Sequence, residues 1–353
     1  MNILDKLLMI MFQQNAESIF FIEELPPFIK FKDGKLQNLV DEKIEKEQIE
    51  ELLKIFLTDR DRIELKKWGY WLGNYTTSNN LTFKGICFYQ KNKLTIIFYP
   101  AVIESYNIEE LELPSIFIEA LNKNKGLIII SGPRKSGKTT IFNSSVEYIL
   151  NNRYLTVATV EDFIEKEFSN SKGIVYQFLV GKDYADIKEV LNIIRRVKPD
   201  VVAIQEIVNY DYLSLALDLS LSGLLVICTL NADGIISTFE KIAGMAGDQK
   251  DNVFRYLSMV LEVLISGNLF YTTENNLKYV YDFYFNDVEF TKNIAKGDIT
   301  EVYLKMVERR DKGFRVQEHT LKALVKKGLI KEEEALLKAA RPNELKKLLN
   351  SPF

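Results

Sequence analysis

Residues 126–140 read Gly-Leu-Ile-Ile-Ile-Ser-Gly-Pro-Arg-Lys-Ser-Gly-Lys-Thr-Thr. The first part, Gly126–Ser131, is a short aliphatic run without polar alternation, as expected of a strand covered on both faces. The next part, Gly132-Pro-Arg-Lys-Ser-Gly137-Lys138-Thr139, is a G-x-x-x-x-G-K-T loop, and the residues after it open a helix. Such a loop needs these residue types. Glycine lets the chain curl until successive N–H groups face one phosphate, and the helix N-terminus behind adds positive potential. Lys138 is placed to reach the β- and γ-phosphates of ATP, and the Thr139 hydroxyl to bind Mg2+. Gly132, Pro133, Ser136, Gly137, Lys138, Thr139 and Thr140 are therefore the expected ATP-binding residues. A glycine turn with an incidental lysine is the bland alternative, and the strand before and helix after argue against it.

Outward from this loop, β-branched runs alternate with helical stretches, the pattern of a parallel α/β sheet with crossovers. Strands are expected at Thr156–Val160, Val201–Ile204 and Leu224–Thr229, with helices beginning near Lys138, Tyr184 and Tyr210. Ligands of such sheets bind at the carboxyl ends of the strands, so the polar residues there are the candidates. Glu161, Asp162 and Glu165 follow the second strand and would hold Mg2+ or orient a water, although such a cluster is often only a solvated loop or helix cap. Glu206 ends the third strand. It is expected beside the P-loop strand, where a carboxylate accepts a proton from the attacking water or orients it. Asn231 is a candidate sensor of the γ-phosphate, or a simple turn residue. Arg195 and Arg196 are candidates for contact with a neighbour's nucleotide, or merely complement a helix dipole. His319, the single histidine, reads as a surface residue.

The first hundred residues have a different texture. A first helix, a turn at Leu25-Pro26-Pro27, a hairpin-like stretch from Phe28 to Leu36, a helix over Lys46–Phe56 and two alternating runs, Leu81–Gln90 and Lys93–Tyr99, make a small α+β domain. Pro100–Pro114 reads as a linker before a helix at Ser115–Asn122. Beyond Gly267, strand-like Leu269–Thr272 and Leu277–Phe283 precede a tail rich in Lys and Glu. The composition is that of a globular protein, 47% hydrophobic, and 46 Lys and Arg against 49 Asp and Glu leave a net charge of -3. That near balance gives no general pull toward nucleic acid, so a DNA-acting reading of the loop is disfavoured. Cys87 and Cys228 lie in apolar runs and read as small buried hydrophobes. No apolar run has the roughly 20 residues of a membrane span, and a soluble, intracellular protein is expected.

In this order the boxes resemble the type II/IV secretion ATPase superfamily, most closely its twitching-motility, pilus-retraction branch. Leu25-Pro-Pro-Phe-Ile-Lys is similar to the turn of that branch's N-terminal domain, Gly132–Thr139 to its Walker A and Thr159–Glu165 to its acidic box. Pro199–Glu206 is similar to its Walker B, Ser222–Asn231 to its His box, and the tail from His319 to its C-terminal helices. The resemblance implies a PAS-like α+β domain over 1–100, a linker over 101–114, a RecA-like ATPase core over 115–285 and a helical region over 286–353. It also implies Glu206 and Glu165 in catalysis, Thr139, Glu161 and Asp162 at Mg2+, and a homo-hexameric ring. That ring would lie in the cytoplasm at the inner face of the membrane, working on an inner-membrane platform protein with or without a paralogous ATPase. The chain departs from the family pattern at Leu224 and Asn231, which replace histidines, at Lys135, which replaces Gly, and at Val208-Asn209, which replace Arg-Asp. Arginines expected near Lys84 and around Phe98–Tyr99 are missing as well. These departures leave an alternative, an ATP-binding but weakly hydrolysing regulatory paralogue of the same machine.

Overall fold

A computed structural model describes residues 2–31, 33–100, 106–181 and 184–351. By contacts the chain divides into two compact units, Met1–Glu104 with Phe163–Glu167, and Ser105–Asp162 with Phe168–Phe353.

The first unit runs α1 (Ile3–Gln13), β1 (Ser18–Ile22), β2 (Phe28–Lys30), β3 (Leu36–Asn38), α2 (Lys46–Phe56), α3 (Asp59–Trp68), β4 (Tyr70–Thr76), β5 (Thr82–Gln90) and β6 (Lys93–Pro100). Among the described residues its strands form one sheet in the order β3-β2-β1-β6-β5-β4. All of its pairings are antiparallel. Between β5 and β6, Lys91 and Asn92 take positive φ angles of 49° and 63°, the backbone that a two-residue hairpin turn requires. The expected hairpin from Phe28 is β2 and β3, with Lys32 outside the described residues. Helix α2 buries Ile49, Leu52 and Leu53 and is started by a reciprocal Glu45–Gln48 capping box. Sequence reading missed α3 because only Leu65 of its ten residues is buried. Its ends are nevertheless explicit, with Thr58 at the N-cap and Gly69 closing it at φ 78°.

Of the expected linker 101–114, residues 101–105 lie outside the described residues, and Ile108–Leu111 forms a short 3-10 turn. The second unit continues with α4 (Ser115–Leu121), β7 (Gly126–Gly132), α5 (Lys138–Asn152), β8 (Thr156–Glu161), β9 (Ile174–Leu179), α6 (Ile187–Val197), β10 (Val201–Ile204) and α7 (Tyr210–Leu221). Then come β11 (Leu225–Asn231), α8 (Gly234–Ala246), α9 (Lys250–Val260), β12 (Leu261–Tyr271), β13 (Leu277–Phe285), α10 (Val288–Ala295), α11 (Ile299–Glu308), α12 (Gln317–Lys326), α13 (Glu332–Lys338) and α14 (Pro342–Asn350). The sheet order is β13-β12-β7-β11-β10-β8-β9, parallel except for the β12–β13 pair. Every residue of β7 is buried. Its side chains divide by parity: Ile128 and Ile130 pack in the layer of α5, with Ile141, Phe142 and Val146, while Leu127 and Ile129 pack in the layer of α7, α8 and α9. Burying each such side chain contributes about 1.5–3 kcal/mol, which is why an unbroken aliphatic run sits stably at the sheet centre. The C-terminal helices α12, α13 and α14 bury Leu321, Ala335 and Leu345 against Phe270 and Val280 of the antiparallel pair.

Three expectations are corrected. The edge strand β9 was not foreseen, its residues being largely exposed or half-exposed. Strand β12 starts at Leu261 rather than beyond Gly267, directly after α9, with Leu261 and Val263–Gly267 buried and Glu262 half-buried. Glu206 does not sit beside the P-loop strand, because β11 lies between β10 and β7.

Candidate nucleotide site

The loop from β7 to α5 is shaped by two glycines. A Cβ on Gly132 would meet the carbonyl oxygen of Gly267 and the hydroxyl of Ser136, each at 2.4 Å, so the loop can approach β12 only without a side chain. Gly137 takes φ 93° directly before the helix, a left-handed turn that glycine adopts at no steric cost. Lys138 is buried, and its ammonium donates to the carbonyls of Gly132 at 2.8 Å and Pro133 at 2.6 Å, closing the loop on itself. Burial holds this ammonium below its usual pKa, with Lys241 and Arg134 adding to the effect and Glu206 opposing it. The Ser136 hydroxyl is buried without a partner. Thr139 and Thr140 follow, half-buried, in the first turn of α5.

The strand ends bring a second set of side chains together. Asn231, at the end of β11, donates a side-chain N–H to the Glu206 carboxylate, so the strand between β10 and β7 supplies the link. Thr229 donates to the Gln205 carbonyl, and the Lys241 ammonium, from α8, donates to the Asn231 carbonyl at 2.6 Å. Glu161, buried at the end of β8, accepts from Thr159 at 2.5 Å and from the Gln177 amide at 3.0 Å, while Asp162 accepts from the Tyr212 hydroxyl at 2.7 Å. Sequence reading missed Lys241, Gln177 and Tyr212. None stands in a motif, and each reaches the site only through the packing of α8, β9 and α7.

Glu165 falls within the N-terminal unit, where its carboxylate lies 3.8 Å from the Lys84 ammonium. Arg195 and Arg196 are exposed on the last turn of α6. His319 is half-buried rather than a surface residue, and burial, followed by Arg310, lowers its pKa. Cys87 and Cys228 are both fully buried, as read from their apolar surroundings. Among the described residues no three His, Cys, Asp or Glu side chains gather as a cation cage. A Mg2+ ion held with a nucleotide needs no such cage, since it prefers phosphate oxygens, water and one or two protein oxygens. Among the described residues no helix is long and apolar enough to cross a membrane.

Next to the loop lies a cavity of about 580 Å3. Gly137, Thr140 and Ile141 line one side, and Tyr106, Leu269 and Tyr279 line others. Arg315 also reaches it, its guanidinium donating to the Tyr281 hydroxyl at 2.7 Å. The arrangement joins a phosphate cradle, an apolar and aromatic recess and a carboxylate held at a strand end. Sites for nucleoside triphosphates are in general built from parts of these kinds.

Known proteins share this plan. The type IV pilus retraction ATPase PilT of Pseudomonas aeruginosa is 24% identical over 94% of this chain and 96% of its own length. The type IV pilus ATPase PilU of the same organism is 24% identical over 98% of this chain and 91% of its own. A solved structure of the pilus retraction motor PilT with bound ADP matches with a TM-score of 0.86 at 26% identity, covering 98% of this chain and 99% of the other. The ATPase DotB of Legionella pneumophila, 18% identical, shares the fold with a TM-score of 0.77 over 94% of this chain and 93% of its own. A family model described as "Type II/IV secretion system protein" matches residues 101–329. The chain belongs to the type II/IV secretion system protein family.

Proposed function

We propose that this chain is an ATP-hydrolysing motor that powers retraction of a type IV pilus, with Glu206 as the residue that activates water. The observation that carries the reading is the Lys138 cradle together with the Glu206–Asn231 pair at the neighbouring strand ends. When ATP enters, Lys138 exchanges the Gly132 and Pro133 carbonyls for β- and γ-phosphate oxygens, and the loop N–H groups with the Ser136 hydroxyl take the rest. The Thr139 hydroxyl, with Glu161 or Asp162 through water, would hold Mg2+, which when bound neutralises developing phosphate charge. Asn231 fixes the Glu206 carboxylate so that it accepts a proton from water facing the γ-phosphate, and Lys241 steadies Asn231 through its carbonyl. The base and ribose are assigned to the cavity lined by Tyr106, Leu269, Tyr279 and Arg315. The water-activating role goes to Glu206, and Glu165 stays with Lys84.

The family's way of working further supports an oligomer, proposed as a hexameric ring at the cytoplasmic face of an inner-membrane platform protein. One observation favours a second reading, a weakly hydrolysing partner subunit. The Glu206 carboxylate already accepts a hydrogen bond from Asn231, so one of its oxygens is engaged before any water reaches it. Phosphate release from Mg-ATP, read with the size of the protein in solution, separates the two. Turnover by an oligomer supports the motor, and tight ATP binding without turnover supports the partner subunit. In cells deleted for the chain, a motor predicts pili that extend and do not retract, restored by the intact gene and not by one encoding Lys138→Ala.

A further inference from the structure

Helix α8 begins without its own cap. Asp233 stands at the N-cap position, yet its side chain makes no capping hydrogen bond and its Oδ1 is buried without a partner. The free N–H groups of the first turn go elsewhere. Gly234 donates to the Ser266 hydroxyl of β12 at 2.9 Å, and Ile235 donates to Asp282 Oδ2 of β13 at 3.0 Å. Asp282, fully buried, also accepts from the Gln317 N–H of α12 at 2.7 Å. Glu318, the next residue and also fully buried, accepts from the Arg341 N–H at 3.1 Å. The Arg341 guanidinium then bonds both carboxylates, Asp282 at 3.1 and 3.3 Å and Glu318 at a single oxygen. It lies 4.1 Å from the centre of the Tyr303 ring of α11, and its Nε is 3.4 Å from the Glu344 carboxylate of α14.

Two fully buried carboxylates, Asp282 and Glu318, therefore share one guanidinium, while half-buried Asp233, Glu344 and His319 stand nearby. Burial and then Asp282 push Glu318 up to about 7, against the pull of Arg341. Without Arg341, Asp282 and Glu318 would face one another unbalanced and buried, and either Glu318 would hold its proton or Asp282 would be drawn off the first turn of α8. That turn leads straight back to the site. Asn231 precedes it by three residues, holds Glu206, and is itself held by Lys241 of the same helix.

We propose that Arg341 is a positioning residue for ATP hydrolysis: by balancing Asp282 and Glu318 it keeps Asp282 on the first turn of α8, and so sets Asn231 against Glu206. The proposal rests on the assignment of Glu206 above.

The test reads amide hydrogen exchange over residues 231–236 together with kcat and KM, at pH 6 and pH 8. The variants are Arg341→Gln, Arg341→Lys and the pair Arg341→Gln with Glu318→Gln. At pH 8, Arg341→Gln should speed exchange there about tenfold and lower kcat about tenfold, with KM within about twofold. At pH 6, where Glu318 takes up its proton, both effects should shrink, and adding Glu318→Gln should recover most of the loss at pH 8. Parental exchange and kcat in Arg341→Gln would overturn the proposal. So would a loss that is equal at both pH values and not relieved by Glu318→Gln, which is what a bare packing defect gives. If Arg341→Gln does not fold, Arg341→Lys carries the test. It keeps the charge but cannot span two carboxylates, so faster exchange at residues 231–236 supports the proposal and parental exchange overturns it. A parent that fails to hydrolyse ATP sinks the motor reading alone, because the exchange measurement still decides the role of Arg341.

Discussion

Asn231 at the end of β11 donates to Glu206 beyond the end of β10, so the proposed water-activating carboxylate is held by the strand that separates it from the P-loop strand. Removing the amide leaves the carboxylate present but free to rotate. Asn231→Ala should lower kcat about tenfold while KM stays near the parental value, the signature of an interaction that matters in the transition state. Asn231→Asp should cost more, since it sets two like charges together. Steady-state kinetics checks both, and a raised KM at parental kcat would make Asn231 a ground-state contact instead.

Lys135 lies in the P-loop at φ 63°, a left-handed backbone in which an ordinary side chain is strained. Glycine there relieves about 1–2 kcal/mol of steric cost and returns part of it as unfolded-chain entropy. Lys135→Gly should therefore stabilise the protein by about 0.5–1 kcal/mol, a rise of about 1–3 °C in melting temperature for a domain of this size. A fall in the scanning calorimetry midpoint would show that contacts of the Lys135 side chain outweigh the strain.

Glu318 gives a pH dependence with a defined sign. Its folded-state pKa of about 7 lies above the ordinary 4.5, so the folded protein binds this proton more tightly than the unfolded chain does. Below pH 4.5 both states are protonated and the group costs nothing. As pH rises from there to 7 the folded state loses stability, and the loss is complete above 7. Relative to the parent, Glu318→Gln should thus gain melting temperature on going from pH 5 to pH 8. A difference between the two proteins that does not change with pH would contradict the shift.

Much of this was legible in the sequence because it is local. The P-loop strand is buried on both faces and its neighbour helix starts at Lys138, so pattern and motif coincide. Helix α2 was read to its final residue, and Ile49, Leu52 and Leu53 are the residues it buries. Where burial is thin, the signal was thin too: α3 and β9 each bury a single residue. Strand order was beyond reach, since nothing in Val201–Ile204 says that β11 will pair between it and β7. The companions of the site were also beyond reach. Lys241, Tyr212 and Gln177 are ordinary helix and strand residues until the fold brings them to Asn231, Asp162 and Glu161. Likewise, the Arg341–Asp282–Glu318 cluster joins residues from three distant parts of the chain.

Phosphate release from Mg-ATP and ATP affinity, measured side by side for the parent, Glu206→Gln and Lys138→Ala, decide whether these residues do what their geometry suggests. The parent should turn over, Glu206→Gln should bind ATP as the parent does yet lose about a hundredfold or more in kcat, and Lys138→Ala should fail to bind. Equal turnover by all three proteins would contradict the assignment of both the cradle and the base.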